Sequence, residues 1–381
     1  MTNGQTTYPL LPFSHLVWSL LQYLPEVYYH SVLLCFNVAD IDILRFRQSV
    51  EKALRHHPAF SMVVTSDGHQ TYVPTTDILH GQFHSIEYVC NEKRFELHFK
   101  LNRILGDSYS FGLLFQNVFR AYHNKPLYKD DFLAYLAQYE KLAQSAQYVE
   151  NQQWYEDHFG DVNYPVHPRV DTAQSLESFG IEGQWVDDIS DIRHGVQSVC
   201  DKYQISASQL VSLCAALAIM DYNDTDSAGL TWAYLGRETM DEMAVFGSLH
   251  RDIPLKISGH QKELTSSARD SFLHQFHNHL TQSIAHSTYP YTLLAPQNQI
   301  WDYALNVLEP VSIDKLMHYA PMPFQMQVQN ETHQAYSLFD VDVYNEETLT
   351  LVYRYSTSHY KPESIRKFAA LVRKYAEWLI K

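Results

Sequence analysis

The residues of this chain best equipped for chemistry crowd into one turn, Asn102-Arg103-Ile104-Leu105-Gly106-Asp107-Ser108-Tyr109-Ser110. It holds a carboxamide, a guanidinium, a carboxylate and three hydroxyls. The guanidinium of Arg103 stays protonated at any working pH, so it can donate to a developing oxyanion but cannot accept a proton. Asn102 can hydrogen-bond but is no base. Imidazoles lie elsewhere, as His56-His57 and as His274, His277 and His279. The first pair falls near a helix C-terminus, where basic side chains favour the dipole without any catalytic duty. His274 and His277 could place two imidazoles together, but no third ligand accompanies them, so no metal is expected.

The elements that must position the turn are readable on both sides of it. Phe95, Leu97, Phe99 and Leu101 alternate with Glu96, His98, Lys100 and Asn102, the period of a strand with one buried face. After Gly106, Leu114, Phe115, Val118, Phe119 and Tyr122 recur at helical spacing, with Asp107, Ser108 or Ser110 available as cap. A strand, a tight polar turn and a helix make a common setting for function. Further helices are expected where Ile43, Phe46, Val50 and Leu54 share a face behind Asp40 or Asp42, across 131–145, after the capping box Ser206-Ala-Ser-Gln209, across 263–286, and behind Pro362. Strands are expected at 31–38, 71–73, 83–89, 181–186, 230–237, 303–308, 324–329, 336–343 and 349–355.

At 381 residues, with 45% hydrophobic and 14% aromatic side chains, the chain has ample material for two packed lobes and is not disordered. The formal net charge of −15 argues against non-specific nucleic-acid binding, which needs Lys and Arg to neutralise phosphates. Cys35, Cys90, Cys200 and Cys214 are far apart and form no CxxC pair, so they read as buried thiols. No apolar run reaches the length of a membrane span and the N-terminus lacks a basic leader, so no membrane partner and a cytoplasmic location are expected.

The turn resembles the active-site motif of nonribosomal peptide synthetase condensation domains, HHxxxDG followed by an aromatic residue and Ser. Asn102 and Arg103 stand in place of the two His, Asp107 and Ser110 are retained, Ser108 replaces Gly, and Tyr109 replaces the aromatic residue. Other segments resemble the family in order. They are Tyr8 to Trp18, Arg55-His-His-Pro-Ala-Phe-Ser61, the helix with Trp154-Tyr155, Gly236-Arg237, Phe246 to Leu255 with Arg251 in place of Asn, and the terminal strands and helix.

The resemblance implies an α/β fold of two chloramphenicol-acetyltransferase-like lobes in a V-shaped pseudo-dimer, each a mixed sheet packed with helices. It implies an N-terminal lobe at 1–160, an interlobe linker at 161–180, and a C-terminal lobe at 181–381. A tunnel between the lobes would admit phosphopantetheine-tethered substrates from both sides. Catalysis would fall to Arg103 and Asp107, with Asn102, Ser108 and Tyr109 lining the tunnel. Asp107 would form a structural salt bridge with Arg237, reached from the other lobe.

Two functions stay open on this resemblance. One is transfer of a carrier-bound acyl or aminoacyl group to an amine or hydroxyl in peptide or lipopeptide biosynthesis. The other is a catalytically silent relative that recruits or gates partners. The implied partners are acyl or peptidyl carrier proteins and other synthetase components. No cofactor of its own is implied, since the carrier brings the phosphopantetheine arm. Such carriers are usually acidic, so docking on this acidic chain needs a local basic or apolar patch. A rival resemblance, Gly106-Asp-Ser108 with Asp191-Ile-Arg-His194, matches the short blocks of GDS-type ester hydrolases, whose blocks lie near opposite chain ends rather than mid-chain.

Overall fold

The computed structural model describes residues 6–22, 29–172, 183–259, 264–294, 304–310, 324–329 and 338–381. The chain runs through Thr7–Pro9 (β1), Pro12–Leu21 (α1), Tyr29–Asn37 (β2), Ile43–His56 (α2), Met62–Val64 (β3), His69–Tyr72 (β4), His80–Gly81 (β5) and His84–Cys90 (β6). Arg94–Asn102 (β7), Ser108–Tyr122 (α3), Phe132–Ala143 (α4) and Ala146–Phe159 (α5) follow. Then come Gly183–Asp188 (β8), Arg193–Tyr203 (α6), Ala207–Asn223 (α7), Ser227–Tyr234 (β9), Met240–Met243 (α8), Arg251–Ser258 (β10) and Ser266–His286 (α9). Asn306–Leu308 (β11), Gln325–Gln329 (β12), Phe339–Asn345 (β13), Leu349–Tyr355 (β14) and Pro362–Leu379 (α10) complete the order.

Packing divides these elements into two units. Unit 1 comprises Met1–Gln147, Leu235–His250 and Val311–Thr332; unit 2 comprises Tyr148–Tyr234, Arg251–Pro310 and His333–Lys381. Leu235–His250 and β12 therefore belong with unit 1, although chain order had placed both in the expected 181–381 lobe.

Unit 1 is built on an antiparallel sheet ordered β12-β2-β7-β6-β5, with a small sheet β1-β4-β3 beside it. β7 sits at its centre, and the alternation read from the sequence selects its buried face: Phe95, Leu97, Phe99 and Leu101 are all buried. Register places Phe95 opposite Phe36 and Leu97 opposite Leu34. Phe46 of α2 meets Phe95 at 5.9 Å between ring centroids, and Phe111 of α3 meets Phe99 at 5.5 Å. Aromatic pairs at this spacing add to the stabilisation from burial alone.

Unit 2 is built on a six-stranded mixed sheet ordered β10-β9-β11-β13-β14-β8, in which β11 runs parallel to both β9 and β13. α7 starts with the expected capping box and is buried throughout from Leu210 to Met220, as a helix with apolar side chains on most of its surface must be. The aperiodic stretch expected as a linker is partly core: Tyr164 and Val166 are buried with Tyr155 and Phe159. The carbonyls of Pro165 and Val166 accept from Gly229 and Leu305 N–H, so this coil satisfies its backbone against unit 2. Residues 173–180 of that expected linker lie outside the described residues.

Candidate functional site

β7 ends at Asn102, and the turn that follows is held by its own polar groups. Asn102 is fully buried; its Oδ1 accepts from Ile104 N–H at 2.9 Å, and its carbonyl accepts from Leu105 N–H at 3.1 Å. Side chains of this type stabilise turns by such local bonds. Ser14 of α1 donates its hydroxyl to the Ile104 carbonyl at 2.9 Å, fixing α1 against the turn.

Asp107 then caps α3 and anchors the segment 235–250. Its Oδ1 accepts from Ser110 N–H at 3.0 Å, lies 2.9 Å from Ser110 Oγ, and accepts from Arg237 Nη2 at 3.2 Å. Its Oδ2 accepts from Arg237 Nη1 at 2.6 Å, Leu249 N–H at 3.1 Å and His250 N–H at 3.2 Å. Burial alone would push this carboxyl up, but the Arg237 guanidinium beside it and the bonds from Ser110 hold it below the usual carboxylate range. These contacts commit the carboxylate to holding the turn in place.

Arg237 comes from the same packing unit as Asp107, not from the other lobe as the resemblance implied. Gly236 makes its approach possible. With φ +69° and a would-be Cβ only 1.8 Å from the Leu249 carbonyl, no other residue fits there. Arg237 also donates to the Gly247 carbonyl at 3.0 Å, and Gly247 N–H donates to Ser110 Oγ at 3.1 Å. The guanidinium lies 4.8 Å from the ring centre of Tyr109. Ser108 is the first residue of α3 and is half-buried, as is Tyr109.

A second buried carboxylate holds the same segment. Asp130 Oδ1 accepts from Phe246 N–H at 3.2 Å, and its Oδ2 lies 2.7 Å from His57 Nδ1. Asn117 accepts from Tyr128 N–H through Oδ1, which turns its Nδ2 toward His57 Nε2 at 3.1 Å. His57 is therefore the neutral Nδ1–H tautomer, donating to Asp130 and accepting from Asn117. Burial keeps its pKa low against the opposing pull of Asp130. Both nitrogens are committed, so this histidine is structural; His56 Nε2 bonds the Tyr128 carbonyl at 2.7 Å.

Arg103 lies half-buried within the turn, its guanidinium 5.0 Å from the centre of the Phe13 ring. The His250 imidazole meets the same ring edge-on at 4.7 Å. The sequence reading missed His250, as it missed the backbone donors of Leu249 and His250; the only signal was their place in the segment after Gly236-Arg237. Of the hydrolase-like blocks, Asp107 and Ser108 belong to unit 1 and Asp191 to unit 2, where Asp191 pairs with Arg373 of α10. No grouping of three metal-binding side chains occurs among the described residues.

A mixed α/β fold of two chloramphenicol-acetyltransferase-like lobes, with a strand–turn–helix motif pinned by a buried Asp–Arg pair, defines the class. The condensation domain family model matches residues 83–381, and the chain belongs to that family. Solved structures share the fold at low identity. The starter condensation domain of rhizomide synthetase RzmA, in complex with C8-CoA, matches with a TM-score of 0.72 at 13% identity, covering 98% of this chain and 95% of that one. The first condensation domain of the CDA synthetase matches at 0.69 and 14%, covering 99% and 97%. The EpoB cyclization-docking bidomain from Sorangium cellulosum matches at 0.73 and 11%, covering 99% and 84%. No curated protein matches the chain.

Proposed function

We propose that this protein acts in nonribosomal peptide or lipopeptide assembly, receiving an acyl or aminoacyl thioester on the phosphopantetheine arm of a carrier protein. The observation that carries the reading is the intact frame around an altered site. Asp107, Arg237 and Ser110 hold the turn, and by the sequence resemblance Arg103 stands where the family has its second histidine. In the reaction an amine or hydroxyl attacks the thioester carbonyl, the new C–N or C–O bond forms, the C–S bond breaks, and the thiolate leaves and takes a proton from solvent. Arg103 would donate to the oxyanion of the tetrahedral intermediate, an effect of roughly 3 kcal/mol. It takes no proton, so the nucleophile loses its proton to solvent, and orientation of the tethered substrates supplies the remaining acceleration.

A second reading is favoured by the absence of imidazole from both motif positions, Asn102 and Arg103. Under it the chain binds loaded carriers or other synthetase components and performs no transfer.

One assay separates the two. The rhizomide starter domain is seen with C8-CoA, and in another structure with C8-CoA and Leu-SNAC, so octanoyl-loaded carrier protein is the donor to test and a leucyl thioester the acceptor. Octanoyl-leucyl product by mass spectrometry, absent without protein, supports transfer. Carrier binding without product supports recruitment, and neither binding nor product would sink both.

A further inference from the structure

We infer that the outward face of α2 is a docking surface for an acidic protein, the carrier that delivers the thioester; the inference rests on the function proposed above. The chain has 43 Asp and Glu against 28 Lys and Arg, yet α2 carries Arg45, Arg47, Lys52 and Arg55 against Glu51 alone. Its other face is spent on the core through Phe46, Val50, Ala53 and Leu54. At helical spacing the four cations fall on the opposite arc together with Leu44, which is 69% exposed.

These cations rest on rings and carbonyls, with Glu51 one turn from both Arg47 and Arg55 on the same arc. Arg45 lies 5.1 Å from the centre of the Tyr122 ring and Arg47 lies 4.6 Å from that of Tyr88. Arg55 donates to the Thr75 and Thr76 carbonyls at 3.1 and 3.0 Å. Among the described residues none of the four cations meets a carboxylate in an ion pair. On α10, by comparison, Arg373 pairs with Asp191 and Glu377 and Lys374 with Asp221, while Arg366 and Lys367 rest on the Trp185 and Tyr222 rings.

Guanidinium groups resting on rings and carbonyls are ordered before a partner arrives, so less side-chain entropy is lost on docking. Their positive field, set in a chain of formal charge −15, attracts an acidic protein surface locally. The same overall charge repels a nucleic acid, whose phosphates form a continuous polyanion. Leu44 supplies the apolar anchor that a charged rim alone lacks.

The test is fluorescence anisotropy with a labelled holo acyl carrier protein of strongly negative charge, at about 20 and 300 mM NaCl, and in parallel with a Glu-rich helical peptide lacking phosphopantetheine. The native protein should bind both, about tenfold more weakly at high salt. Arg47→Glu with Lys52→Glu should weaken both about tenfold or more at low salt and flatten the salt dependence. Leu44→Ala should weaken the carrier several-fold with the salt slope unchanged. Lys202→Glu, on α6, should change neither, and matched melting curves exclude misfolding. Peptide binding lost in the double variant, with no carrier bound by the native protein, leaves the surface standing and sinks the carrier reading. Carrier binding unaffected by the double variant overturns the surface. So does a 20-nucleotide RNA that binds the native protein more tightly than either probe.

Discussion

Arg237 grips Asp107 with two nitrogens, Nη1 at 2.6 Å from Oδ2 and Nη2 at 3.2 Å from Oδ1, with both side chains buried. Removing one partner leaves a desolvated charge, so Arg237→Met and Asp107→Leu should each destabilise unit 1 by roughly 3–5 kcal/mol. Arg237→Lys keeps the charge but loses the fork and should fall between. The double variant should cost clearly less than the two single losses combined, a coupling that urea titration of all four proteins measures.

Gly236→Ala should be more disruptive than its size suggests, because the new methyl would meet the Leu249 carbonyl at 1.8 Å in a left-handed backbone conformation. The expected result is faster hydrogen exchange at the Leu249 and His250 amides, whose acceptor is Asp107. Unchanged protection there would refute the anchoring role assigned to this corner.

Arg103→His places a neutralisable base at the turn. If the site transfers acyl groups, this variant should outpace the native protein by about tenfold or more and acquire a rate that rises with pH through the imidazole range. Arg103→Ala separates the roles of the native arginine. A loss of about 100-fold or more marks an oxyanion donor, and an unchanged rate removes Arg103 from the chemistry.

His279 gives unit 2 an acid-side weakness. Its Nε2 accepts from Lys256 N–H at 3.3 Å, which requires the neutral ring, and burial lowers its pKa from 6.5 to about 4. The unfolded chain therefore takes up the proton first as pH falls. Stability from this group is complete above about pH 6.5, falls by about 1.4 kcal/mol per unit below that, and levels near pH 4. His279→Gln should show a shallower decline in urea midpoint between pH 7 and 5 than the native protein. An equal slope would assign the acid loss to other groups.

Local periodicity made much of the fold legible. The alternation through Phe95 to Leu101 selected the buried face of β7, Asp107 was among the cap candidates for α3, and Ser206 with Gln209 announced α7. Strand ends were less visible: β9 stops at Tyr234, not at Arg237, because Gly236 turns the chain. The partnership of Leu235–His250 with unit 1 was not readable, since backbone N–H donors such as Leu249 and His250 leave no mark in residue type. Resemblance located Arg237 but assigned it to the wrong side of the molecule, because a motif carries position along the chain and not packing. The half-buried His250 beside Phe13 was invisible for the same reason.

The pairing of β12 with β2 has a consequence for how the chain is made. On a ribosome β2, β7 and β6 emerge long before residues 325–329, so the outer edge of β2 stays without its partner until nearly the whole chain is synthesised. Asp107 likewise waits for residue 237 before its charge is matched. Unit 1 therefore cannot be completed during translation of its own N-terminal segment, and the nascent chain carries an open strand edge prone to pairing with its neighbours. A gene split at residue 172 would yield two insoluble halves when expressed apart, and folded protein only when both are translated together.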